Sequence, residues 1–68
     1  HDMALLYKLI ILWKTGAREV FTFKTLNNTE RAEINLKTAY GNKIARMTIK
    51  HGLKTTEVMN NDNINNKV

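Results

Sequence analysis

Apolar and polar positions alternate with a period of two near both ends of the chain and follow a helical period in the middle. In residues 4–13, Leu5, Tyr7, Leu9, Ile11 and Trp13 fall on one side of an extended chain, and Leu6, Lys8, Ile10, Leu12 and Lys14 fall on the other. One side is wholly apolar and the second half apolar, which is the pattern of a strand covered on one face and partly on the other. A Leu-rich run also suits a buried helix, so the neighbouring segment decides. Val20-Phe21-Thr22-Phe23-Lys24-Thr25 is rich in β-branched and aromatic residues, and the polar break around Gly16 suits a hairpin. The reading is strand, turn, strand.

Asn27-Asn28-Thr29 supplies residues that cap a helix, with Glu30 and Glu33 in its first turn, where the helix dipole favours carboxylates. Ala32, Leu36, Ala39 and Tyr40 then share one helical face, and Gly41-Asn42 is a natural stop. From Lys43 the period returns to two. Ala45, Met47 and Ile49 alternate with Ile44, Arg46, Thr48 and Lys50, and His51-Gly52 closes a second hairpin into residues 53–59. Gly16, Gly41 and Gly52 each stand where a positive φ is useful.

The expected fold is therefore α+β, a small ββαββ domain over residues 3–59 with an antiparallel sheet and one helix packed on one face. His1-Asp2 ahead of Met3 reads as a cloning remnant. Residues 60–68, five of them Asn and none periodic, read as a flexible tail. One helix of about eleven residues covers a single sheet face. Leu6, Ile10 and Leu12 would then form an uncovered apolar patch on the other. A domain of this size has limited stability from its own core, so a homodimer or a protein partner is expected over the open face.

Composition removes several classes of function. The 68 residues contain no Pro, Cys, Ser or Gln, which excludes a disulfide-stapled domain, a Cys-ligated zinc module and a Ser or Cys nucleophile. No run is long enough for a membrane-spanning helix, and as a helix residues 4–13 do not separate their lysines well enough to lie in a bilayer surface. Asn, Lys and Ile, all encoded by AT-rich codons, make up a third of the chain, which points to an AT-rich genome or a mobile element. A cytoplasmic location is expected.

Catalytic groupings are scarce. His51 is the one histidine outside the leader and reads as an exposed turn residue. Glu30 and Glu33 have a reason to sit at a helix start without forming a catalytic pair, and no Gly-rich phosphate loop exists. The expectation is a non-enzyme with no cofactor and no metal.

Charge placement carries more. Lysine plus arginine number 11 against 6 acids, for a net charge of +5. Lys37, Lys43, Arg46, Lys50 and Lys54 fall in residues 37–56, which hold no acid. Arg46 and Lys50 share a strand face, and a two-residue turn brings Lys54 to the same end of the ladder. Such a ridge suits phosphates or an acidic protein surface, and equally a solvated face that keeps an apolar sheet soluble. The aromatic residues read as core. Trp13, at a strand end beside the basic turn that includes Arg18, is the one ring placed to contact a partner as well.

Leu6-Tyr7-Lys8-Leu9-Ile10 with nearby Trp13, then Val20-Phe21-Thr22, Tyr40, and the stretch from Asn42-Lys43-Ile44-Ala45 to Glu57-Val58 give the chain a weak resemblance to the phage Dmd antitoxin family. The resemblance implies a small non-enzymatic inhibitor of host RNase toxins, and it marks Asn42 as a candidate partner contact; without it, Asn42 reads as capping the helix end. The leading expectation is an interaction protein that modulates a host toxin or nuclease, with Lys43, Arg46, Lys50 and Lys54 steering onto an acidic surface. The alternatives are a basic nucleic-acid-binding module that contacts the backbone and a dimeric structural protein whose charge serves solubility.

Overall fold

Gly16 and Gly52 adopt positive φ, 98° and 63°, and each sits in a turn between paired strands. In the computed structural model, which describes residues 5–61, strand β1 (Tyr7–Trp13) turns into β2 (Arg18–Phe23). The loop is closed by the Trp13 N–H donating to the Ala17 carbonyl at 2.8 Å and the Gly16 N–H donating to the Trp13 carbonyl at 2.9 Å. Strand β3 (Ile44–His51) turns through Gly52 and Leu53 into β4 (Lys54–Asn60). A positive φ at the first central residue alone is the hairpin form whose twist matches the flanking strands.

The four strands form one antiparallel sheet in the order β2-β1-β3-β4. Both β2 and β3 run antiparallel to β1, so they are parallel to each other across it. A connection of that sense needs a crossover, and helix α1 (Leu26–Tyr40) provides it. The fold is the expected ββαββ.

The core lies between α1 and one sheet face. Leu9, Ile11, Ile44 and Met47 are fully buried there, with Ala32 and Leu36 of the helix packed against them. Ile44 reaches this side through a bulge: Leu12 pairs with Arg46 and Trp13 with Ile44, leaving Ala45 as the extra residue. Simple alternation had placed Ile44 with Arg46 and Thr48. A second irregularity, at Val58, lets Val58 and Met59 both pack on the core.

The helix begins earlier than the Asn pair implied. Thr25 is its N-cap, accepting the Asn28 N–H on its hydroxyl at 3.1 Å, and Asn27, Asn28 and Thr29 are already helical. Thr29 is fully buried, its hydroxyl donating to the Thr25 carbonyl at 2.8 Å. The first turn therefore holds no acid, and Glu33 instead pairs with Lys37 at 2.7 Å, one turn on. Gly41 has φ −50° and leads into a short 3-10 turn, Gly41–Lys43, so it is not a left-handed cap.

Two more expectations change. His51 is half-buried rather than an exposed turn residue, because it ends β3 and stacks on Tyr7 with ring centroids 3.8 Å apart. Asn60 belongs to β4, and Asn61 bonds back to the fold, its N–H donating to the Ala45 carbonyl at 2.7 Å. The expected tail beyond these two, and the leader His1-Asp2, lie outside the described residues.

Candidate partner-binding face

The side of the sheet turned away from α1 has no layer over it among the described residues. Pairing register assigns its occupants: Lys8, Ile10 and Leu12 from β1, Arg18, Val20 and Thr22 from β2, Arg46, Thr48 and Lys50 from β3, and Thr55, Glu57 and Asn60 from β4. Ile10 and Leu12 are half-buried by their neighbours alone, and Val20 is 46% exposed. Leu6, just before β1, is 42% exposed.

The charges are arranged across the strands. Lys8 is the direct partner of Lys50. Leu12 is the direct partner of Arg18 on one side and of Arg46 on the other. A shallow depression of about 310 Å³ lies here, lined by Ile10, Leu12, Arg18, Arg46 and Thr48. Glu57 is the single carboxylate in this register, and it bridges to Arg46 at 3.5 Å. The face thus combines an apolar strip with four cations and one acid.

Of the residues singled out in the sequence, this face brings together Arg18, Arg46 and Lys50. Lys54 pairs with His51 and lies on the helix side of the hairpin, beside Tyr7, Leu26 and Ile49, so it does not extend the Arg46 and Lys50 ridge. Trp13, Asn42 and Lys43 gather at the end of β1, where with Lys14 and Thr15 they line a second depression of about 480 Å³. Trp13 also packs on the core, donates its indole N–H to Glu19 at 2.9 Å and meets Tyr40 edge-on at 5.7 Å. Asn42 is exposed in the 3-10 turn, which continues from the helix end. Lys37 stands on α1, bound to Glu33, on the opposite layer from the open face.

Lys8 joins this basic face although it was not among the residues singled out in the sequence. Its signal was available: period two puts it with Ile10 and Leu12, and counting charge linearly along residues 37–56 hid it. The basic surface draws equally on both halves of the chain, since Lys8 and Arg18 join Arg46 and Lys50 only when β1 inserts between β2 and β3.

All six aromatic rings of the described residues, Tyr7, Trp13, Phe21, Phe23, Tyr40 and His51, belong to the helix side by register or by packing. Phe21 and Tyr40 are nonetheless 38% and 46% exposed there, less core-like than their residue types implied. Among the described residues, no three His, Cys, Asp or Glu side chains converge, and no helix is long and apolar enough to cross a membrane. The chain matches no protein-family model, no curated protein and no solved structure.

Proposed function

We propose that this is a small non-enzymatic interaction protein that binds a host protein, such as a toxin or nuclease, and inhibits it by covering part of its surface. The open sheet face carries the reading: an apolar strip of Ile10, Leu12 and Val20 lies between Lys8 and Lys50 at one end and Arg18 and Arg46 at the other. Burial of the strip supplies affinity, and Lys8, Lys50, Arg18 and Arg46 orient an acidic target. The resemblance to the phage Dmd antitoxins supports the same reading and makes the host cytoplasm its place of action.

A second copy of the chain is a poorer occupant of this face, because it brings the same excess of cations. Nucleic acid draws on the same charges, yet single-stranded recognition relies on rings that stack on bases, and the rings of the described residues lie on the other side of the sheet.

The test is affinity capture from host extract with the wild-type chain and with Lys8→Glu plus Lys50→Glu. One dominant protein in defined stoichiometry, absent with the variant, is expected. Recovery of nucleic acid alone, or equal recovery by both chains, overturns the reading.

A further inference from the structure

The cations of the open face sit at its two ends. Lys8 and Lys50 face each other at one end, and Arg18 and Arg46 flank Leu12 at the other. Four residues of β1 separate the ends, roughly 13 Å along the strand; Ile10, Val20 and Thr48 fill the interval, with Glu57 at the β4 edge of the same row paired to Arg46 at 3.5 Å. Like charges placed directly opposite oppose folding. Among the described residues, no carboxylate lies within ion-pair distance of Lys8, Lys50 or Arg18. The opposite face shows what this sheet accepts as a cover: an amphipathic helix, seated through Ala32 and Leu36. A second helix on the open face completes a three-layer arrangement around the same four strands.

We propose that the open face takes an acidic amphipathic helix from a protein partner. Carboxylates seven residues apart on one helix face are separated by about 10.5 Å, a span that lysine and arginine side chains at the two ends of the sheet face can reach. Apolar side chains from the turn between them rest on Ile10 and Leu12. The proposal rests on the reading of this face as the partner surface, and it adds the shape and charge of what lies there.

The experiment is amide chemical-shift mapping on the full chain with three probes. One is a synthetic helical peptide with Glu at positions i and i+7 and Leu at i+3 and i+4. The second is the same peptide with Gln for Glu, and the third a short duplex oligonucleotide. Expected are shifts at Ile10, Leu12, Val20 and Thr48 with the Glu peptide, and binding weaker by roughly tenfold or more with the Gln peptide. Lys8→Glu plus Lys50→Glu is expected to lose the Glu peptide and to bind one carrying Lys at one of the two positions and Glu at the other, since Arg18 and Arg46 remain at the far end; that gain also shows the variant is folded. Shifts elsewhere, none at millimolar peptide, equal binding of both peptides, or tighter binding of the duplex to the same residues would each overturn the proposal. If the peptides fail while Lys8→Glu plus Lys50→Glu still abolishes capture of a host protein, the helix falls and the partner face stands. If both fail, the partner face falls with it.

Discussion

Lys8 and Lys50 are direct cross-strand partners on the open face of the two central strands. A sheet optimised only for folding would place opposite charges or a β-branched pair there. Reversing one of them, as in Lys50→Glu, converts repulsion to attraction and is expected to stabilise the free chain by about 0.5 kcal/mol. That corresponds to a rise in Tm of roughly 2–4 °C for a domain of this size. The gain should shrink in high salt, because both side chains are exposed and screened. Thermal unfolding at low and high ionic strength checks it, and an unchanged or lowered Tm at low salt removes the claim that the pair opposes folding.

The glycines give opposite expectations for one substitution. Gly52 has φ 63°, and a Cβ added there would come within 3.3 Å of Leu5 Cδ1. Gly52→Ala therefore combines backbone strain with a close contact and is expected to cost about 1 kcal/mol or more. Gly41 has φ −50°, and its nearest neighbour to an added Cβ is Met59 Cε at 4.0 Å, an ordinary contact. Gly41→Ala is expected to stabilise by about 0.4–1 kcal/mol through the unfolded chain. Urea midpoints of the two variants should lie on opposite sides of the wild type; a shift in the same direction contradicts the turn geometry.

The helix start tests which residue is the cap. Thr25→Ala removes the hydroxyl that accepts the Asn28 N–H and is expected to cost about 1 kcal/mol. Asn27→Ala, at an exposed position inside the helix, is expected to be neutral or stabilising by a few tenths of a kcal/mol, roughly the propensity difference. The reverse order in chemical denaturation would return the cap to the Asn pair. Thr29→Val is expected to cost less than Thr25→Ala. The Thr25 carbonyl keeps the Thr29 N–H at 3.2 Å when the hydroxyl is lost, and the valine side chain fits an already buried site.

Much of this fold is legible because alternation survives in sequence. Leu9 and Ile11 on one side of β1, with Lys8, Ile10 and Leu12 on the other, follow from period two alone. The helix start was not legible, since Thr25, Asn27, Asn28 and Thr29 are all good caps and only tertiary burial of Thr29 selects Thr25. Ile44 was misplaced because a bulge at Ala45 adds one residue without a glycine to mark it. The candidate face was half legible. Arg46 and Lys50 share a strand, but their union with Lys8 and Arg18 depends on the strand order β2-β1-β3-β4, which no local pattern encodes.

Asn61 shows the same limit at the end of the described chain, where composition alone reads as tail. Its side-chain amide donates to the carbonyls of Gly41 at 3.3 Å and Ile44 at 3.1 Å, and its N–H donates to Ala45. Those contacts tie the 3-10 turn after α1 to the start of β3. Asn61→Ala removes both side-chain bonds and is expected to cost about 1–2 kcal/mol. Asn61→Asp should cost more than Asn61→Ala, because a carboxylate has no proton to give and faces two carbonyl oxygens. The ordering, wild type above Ala above Asp, is read from urea unfolding midpoints at neutral pH. An Asp variant as stable as the wild type would show that residue 61 is not held by these two acceptors.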